Sequence, residues 1–192
     1  MYRIYTTDAF VLSSQPAAEA SLKVSLFTEE LGLVRAHAQG VRLVGSKLRS
    51  GLQTLHRSNV SLVRGREFWR LTSAMSYEQS DWKFEQRTLF ARLLALVERL
   101  VHGEEQDGEL YGILVHLHAL LARESFTADE LRQLELLALL QILDHLGYVG
   151  GEQQPLSLFK ANPLEKQTLA LVTGKEGELL SMVNASLHAT QL

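Results

Sequence analysis

Cysteine is absent from the 192 residues, so disulfides and thiolate metal sites are excluded. Proline occurs three times and aromatic residues make up 7% of the chain, too little proline for an extended, Pro-rich chain. No run approaches the roughly 18 consecutive apolar residues that a membrane-crossing helix needs. The opening Met1-Tyr2-Arg3-Ile4-Tyr5 alternates polar with apolar residues and lacks the continuous apolar stretch of a secretory signal. A cytoplasmic protein without a membrane span is therefore expected. Against these absences, 46% of the residues are hydrophobic and 21% charged, a folded composition long enough to bury a core.

The net charge of −3 conceals an asymmetry. Residues 1–75 carry ten Lys and Arg against five Asp and Glu, a net +5. Residues 76–192 carry nine against seventeen, a net −8. Eight of the ten cations in the first part lie from Arg35 to Arg70, where Glu67 is the sole acid. A basic half and an acidic half point to different partners.

The basic half reads as strands. Segment 2–12 is rich in Tyr, Ile, Thr, Phe and Val, which suit a pleated surface. In 22–28, Leu22, Val24 and Leu26 alternate with Lys23 and Ser25. In 33–39, Val34, Ala36 and Ala38 alternate with Leu33, Arg35, His37 and Gln39. Segments 59–64 and 67–73 complete five strands, punctuated by Gly32, Gly40, Gly45 and Gly65. Residues 46–52 form a short helical or irregular connection between the third and fourth. This pattern predicts a five-stranded oligonucleotide-binding barrel over 1–76, with an SH3-like barrel as the competing arrangement.

From residue 81 the period changes to three and four, and an all-α domain is expected over 77–192, giving an α+β protein. Leu89, Phe90, Leu93, Leu94, Val97, Leu100 and Val101 mark one helix; Leu110 through Leu121 mark a second. Thr127 with Glu130 forms a capping box that opens a third, apolar nearly all round from Leu134 to Leu143 and ended by Gly147. After a loop at 148–162, Asn162-Pro163 predicts a fourth helix to about Thr173, and a last helix starts near Gly177.

The cations Arg35, Arg42, Lys47, Arg49, Arg57, Arg64, Arg66 and Arg70 fall on the third to fifth strands and their connection. Arginine binds phosphate bidentately and stacks on bases, so these eight are the candidate nucleic-acid contacts. Phe68 and Trp69 are adjacent and face opposite sides of a strand; at most one fills the barrel, and the other is exposed or covered by the helical domain. Metal-ligand spacing is lacking: His116 and His118 stand two apart, off a common helix face, and His102 and His145 lie elsewhere. Nucleophile-elbow, phosphate-loop and dinucleotide-binding patterns do not occur. The expectation is a binding protein without cofactor, metal or catalytic residues.

Several stretches carry a family likeness. Leu26-Phe27-Thr28-Glu29-Glu30-Leu31-Gly32-Leu33-Val34-Arg35-Ala36 continues through Ala38-Gln39-Gly40-Val41-Arg42 into Ser46-Lys47-Leu48-Arg49 and Leu52-Gln53. This run resembles the second and third strands and following connection of RecO recombination proteins. Leu134-Glu135-Leu136 through Leu146-Gly147-Tyr148 is similar to the family's leucine-rich helix ending in Leu-Gly-Tyr. The chain departs from the family at Ala18-Glu19-Ala20-Ser21, where only the Glu of a Gly-Glu-x-Asp pattern remains. It departs again at Val149 to Ala161, which stands where many members carry a four-cysteine zinc module, here expected to be a plain loop.

The resemblance implies a DNA-repair mediator that binds single- and double-stranded DNA, anneals complementary strands and loads the recombinase RecA. It also implies two protein partners, RecR and the acidic C-terminal tail of the single-stranded-DNA-binding protein. The tail needs a cation beside an apolar pocket, and Arg92, Arg99, Arg123 and Arg132 are the candidates. The alternative is a protein-interaction module with a structural barrel and partner-binding acidic helices. A hydrolase assembled from scattered residues ranks third.

Overall fold

The computed structural model describes residues 3–17, 19–43, 45–77, 81–149 and 164–190. They form two compact units: one of Met1–Ser80 with Leu94–Tyr111, the other of Asp81–Leu93 with Gly112–Leu192.

In the first unit, β1 (Ile4–Ala17), β2 (Ser21–Thr28), β3 (Gly32–Ala38), β4 (Arg57–Arg64) and β5 (Trp69–Ser76) close into a barrel ordered β1-β2-β3-β5-β4. All neighbours are antiparallel except β3 and β5, which run parallel. This closed five-stranded path is that of the oligonucleotide-binding fold. Its interior holds Val24, Leu26, Val34, Ala36 and Ala38, which the period-two pattern marks, together with Val60, Leu62 and Leu71. Trp69 joins this core, its ring edge-on to Tyr5 at 5.3 Å, while Phe68 is 54% exposed.

β1 runs five residues beyond its expected end at residue 12. Its first half pairs with β4 and its second half with β2, and a register shift between Val11 and Ser13 lets it turn from one to the other. Backbone pairing rather than apolar alternation carries Ser13, Ser14 and Gln15. The connection between β3 and β4 contains the 3-10 turn Ser50–Leu52, in keeping with the short helical piece expected there.

Outward-facing Phe10 and Phe27 are paired across β1 and β2 and fully buried. The Tyr111 ring covers them at 5.4 and 6.1 Å. The apolar outer surface of two strands is thus buried under residues from 94–111.

Among the described residues, four α-helices follow the barrel: α1 (Phe84–Leu100), α2 (Gly108–Arg123), α3 (Ala128–His145) and α4 (Glu176–Ala189). In the second unit, Trp82 packs on Phe90 and His118, at 5.1 and 4.7 Å between ring centres. The Thr127 side chain accepts from the Glu130 N–H while the Glu130 carboxylate accepts from the Thr127 N–H, so the capping box forms. α3 buries Leu134, Leu137, Ala138, Leu140, Ile142 and Leu143. It ends in a left-handed Gly147 (φ +79°), with the Tyr148 N–H donating to the Leu143 carbonyl at 2.8 Å, the closure that favours glycine.

The loop expected at 148–162 and the Asn162-Pro163 helix start fall almost wholly outside the described residues. The fourth helix expected to run to Thr173 is instead a 3-10 turn, Lys166–Leu171. Glu165 supplies no side-chain cap, and left-handed Gly174 (φ +83°) closes the segment after little more than one α turn, a length that i→i+3 bonding fills. Among the described residues, no helix is long and apolar enough to cross a membrane.

Candidate nucleic-acid interface

The inward residues of β2, β3 and β5 are apolar, and polar side chains stand at many of their outer positions. Register sets those side chains in rows. Gln15 pairs with Lys23, Lys23 with His37, and His37 with Arg70. One row therefore crosses four strands, with neighbours about 5 Å apart. Ser13, Ser25 and Arg35 form the next row. Lys23, Arg35 and Arg70 are all exposed.

The turn between β4 and β5 brings Phe68 over this surface. Its ring lies 4.8 Å from that of His37, tilted by 31°. Ser13, Gln15, Lys23, Ser25, Arg35, His37, Phe68 and Glu98 line one stretch of a trough enclosing about 410 Å³. A second stretch of about 900 Å³ continues past Phe68 to Arg99, His102 and Glu104. The trough thus combines cations, an open aromatic ring and a carboxylate.

Glu98 is held from below: the Ser13 hydroxyl donates to its Oε1 at 2.7 Å. Glu104 accepts from Arg64 and, at 2.8 Å, from the Trp69 indole N–H. Arg64 also lies over the Trp69 ring at 5.0 Å. The next residue, Glu105, presses its backbone against Gly32, the first residue of β3; a Cβ on Gly32 would stand 2.0 Å from the Glu105 carbonyl oxygen.

The eight predicted cations separate into three groups. Arg35, Arg66 and Arg70 lie on β3, the β4–β5 turn and β5, at the trough or beside it. Arg42, Lys47 and Arg49 are exposed along the β3–β4 connection. The Arg42 N–H donates to the Ala20 carbonyl at 3.2 Å, which ties the start of that connection to the β1–β2 turn. Arg57 and Arg64 are engaged within the unit. Lys23, outside the Arg35–Arg70 window, completes the row, and His37 and Phe68 add the rings. Only the pairing of β2 with β3 reveals Lys23 as a member, because it is fourteen positions from His37 in sequence and directly across from it in the sheet.

Arg57 donates to Asp8 Oδ2 at 2.8 Å and to the Tyr111 hydroxyl at 3.4 Å, and lies 4.9 Å from the centre of the Tyr77 ring. Asn59 and Tyr77 donate to Asp8 Oδ1 at 2.8 and 2.7 Å. Burial pushes the Asp8 carboxyl upward, but the Asn59 and Tyr77 hydrogen bonds and the Arg57 guanidinium outweigh it and hold Asp8 below its ordinary 3.8. Burial pushes the Tyr111 hydroxyl up to about 12, against the opposing pull of Arg57.

A depressed carboxyl stabilises the fold above the pKa of the unfolded chain and loses that contribution as pH falls through the folded value. Asp8→Asn should therefore lower stability at pH 7 by about 2 kcal/mol, the scale of hydrogen bonds to a charged group. The gap between variant and wild type should shrink as pH falls below about 4. Urea unfolding at pH 7 and pH 3 checks this; equal gaps at both would show that the charge of Asp8 does not act.

The four arginines expected at a partner site have different surroundings. Arg92 donates to both oxygens of Glu135, at 2.6 and 2.7 Å. Arg99 lines the trough. Arg123 donates to the Ala119 carbonyl of its own helix at 3.4 Å. Arg132 lines a groove of the second unit with Leu136, Leu139 and Leu180. Among the described residues, no three His, Asp or Glu side chains converge as metal ligands.

Residues 1–79 match the family described as Recombination protein O N terminal. The chain is 32% identical over 151 residues to the DNA repair protein RecO of Klebsiella pneumoniae, an alignment covering 73% of this chain and 56% of that protein. This chain belongs to the RecO family. Similar relatives are the DNA repair proteins RecO of Heliobacterium modesticaldum and Escherichia coli. The first is 32% identical over 149 residues, covering 76% of this chain and 52% of the relative. The second is 33% identical over 151, covering 73% and 57%. The RecO-family match covers the whole barrel and extends into the helices, and the chain spans just over half the length of these relatives.

Proposed function

We propose that this RecO-family chain is a DNA-binding recombination mediator in DNA repair, and that its barrel binds DNA on the outer face of β2, β3 and β5. The row of Lys23, His37 and Arg70, with Arg35 beside it and Phe68 above it, carries this reading. Cations on rigid strands hold phosphates, and an open ring beside them stacks bases without regard to most sequence. Arg66 and the Arg42, Lys47 and Arg49 connection extend the path. Arg57 and Arg64 brace the barrel, since each already holds a carboxylate.

A cationic face that accepts a strand also screens the repulsion between two strands, which is the physical requirement for annealing complements. The relatives' role in DNA repair supports the further assignment that the chain, with RecR, loads RecA onto single strands in the cytoplasm at the nucleoid. Binding of a dye-labelled oligonucleotide should weaken steeply with salt, log K falling by about 0.7 per phosphate contact for each unit of log salt, or about 3.5 for five contacts. Lack of affinity for either single- or double-stranded oligonucleotides at low salt would defeat the reading.

The acidic tail of the single-stranded-DNA-binding protein suits the groove at Arg132. The Arg132–Asp129 contact, at 3.3 Å between two largely exposed groups, is weak and leaves the guanidinium available. Glu135 is occupied by Arg92, and Glu176 accepts from Gln133 and from the Gly174 N–H. Leu136, Leu139 and Leu180 supply the apolar floor. Arg132→Glu should weaken a labelled tail peptide about tenfold in anisotropy, the loss of one charge-assisted contact plus repulsion. Unchanged peptide affinity would move the tail to another surface.

A further inference from the structure

We infer that the trough over β2 and β3 contains a base-selective subsite, in which Glu98 reads guanine while Phe68 stacks the base. The inference rests on the proposed binding of single-stranded DNA by this face.

Glu98 is the anomaly in a surface otherwise suited to phosphates. A carboxylate there repels the backbone of any bound strand, so a strand lies across it only with bases, not phosphates, turned toward it. Glu98 is also not absorbed by a neighbouring cation. Arg35 and Lys23 line the same stretch of trough, yet among the described residues neither forms an ion pair with it. Its hydrogen bond comes from the Ser13 hydroxyl, on Oε1. That bond holds the carboxylate by Oε1, and among the described residues Oε2 has no hydrogen-bond partner.

The neighbouring groups fit a base. Phe68 is more than half exposed and backed by the His37 ring, a platform held in place rather than a loose side chain. An exposed, pre-ordered ring stacks on any base. On the floor, Ser25 is 6% exposed and its Oγ has no hydrogen-bond partner. A buried hydroxyl left unsatisfied in a groove marks a place where a polar occupant belongs. Lys23 and Arg35, in adjacent rows, are placed to take the flanking phosphates.

Selection follows from donor count. An ionised carboxylate only accepts. Guanine presents two adjacent donors on one edge, N1–H and the N2 amino group, which match the two oxygens of Glu98. Adenine and cytosine each present one amino group beside an acceptor that the carboxylate repels, and thymine presents a single imide N–H between two carbonyls. Guanine is therefore preferred, and the trough otherwise tolerates every base.

The test uses the full chain and dye-labelled oligo-dT carrying one central dG, dA, dC or deoxyinosine. Expected is about tenfold tighter binding for dG than for dA or dT, the scale of one bidentate base contact. Deoxyinosine, which lacks the N2 amino group, should fall between. Glu98→Gln should erase the preference, so that the dG and dA oligonucleotides bind alike. Phe68→Ala should weaken all four alike. Equal affinities for the four oligonucleotides on wild-type protein overturn the inference while salt-dependent binding still upholds the DNA-binding face, and the deoxyinosine comparison needs no variant to fold. Retention of the dG preference in Glu98→Gln also overturns it. Failure to bind any oligonucleotide at low salt overturns both.

Discussion

Changing Lys23, Arg35 and Arg70 together to glutamate should lower affinity for single-stranded DNA at least about a hundredfold at about 50 mM salt. A phosphate that is no longer neutralised keeps its counterions, and each acid introduced repels the strand. The salt dependence should flatten too, by about 2 units of slope for three phosphates at about 0.7 each. Changing Arg42, Lys47 and Arg49 instead should weaken binding less, because these side chains lie on a connection rather than in the rows of the sheet. Arg57→Glu and Arg64→Glu should chiefly cost stability, since they set an acid against Asp8 and Glu104. Anisotropy titrations at several salt concentrations, with thermal unfolding as the control, separate these outcomes. If the Lys23, Arg35 and Arg70 variant binds like wild type while the connection variant does not, the interface lies on the β3–β4 connection.

Gly32→Ala should be the most destabilising single-methyl change in the barrel unit. Gly32 has φ +66°, where an L side chain costs about 1–2 kcal/mol. Its new Cβ would also meet the Glu105 carbonyl oxygen at 2.0 Å, and the neighbour is backbone, which cannot rotate away. Overpacking of this kind adds about 1–3 kcal/mol. A total of about 3–4 kcal/mol corresponds to a fall in Tm of roughly 10 °C for a chain of this size. Gly103 offers the control: its φ is +87° but nothing lies within 4 Å of a Cβ there. Gly103→Ala should cost only the backbone strain. Equal losses at the two positions would mean that the Glu105 segment does not press on β3. Displacing that segment also pulls Glu104 from Arg64 and Trp69, so the Gly32 variant should change tryptophan emission before the main transition.

Some of this was legible residue by residue. The alternation at 22–28 and 33–39 assigns inside and outside correctly, because side chains on a strand change face at every step. The Thr127–Glu130 box and Gly147 place both ends of α3, since capping is settled within four residues. Asn162-Pro163 and Thr173 suggested a further α-helix by the same local logic, but a missing side-chain cap and an early glycine stop confine the described part to a 3-10 turn. The charge window from Arg35 to Arg70 mixed two kinds of arginine. Asp8 and Glu104, the acids that occupy Arg57 and Arg64, lie 49 and 40 positions away in the chain. No local pattern reveals such a pairing.

The sequence by itself determined the barrel strands, the change to helical period near residue 81, the excess of cations in the first 75 residues and the likeness to the RecO family. Each depends on composition or on neighbours a few residues apart, where steric and hydrophobic periodicity act. Tertiary structure alone decided that β3 meets β5 in parallel and that β1 serves two partners. It also decided that residues 94–111 pack with the barrel, and that Lys23, His37 and Arg70 stand in one row with Phe68 and Glu98 above them. Those facts depend on strand register and on contacts between distant segments, which are set by the closure of the whole barrel and not by any stretch within it.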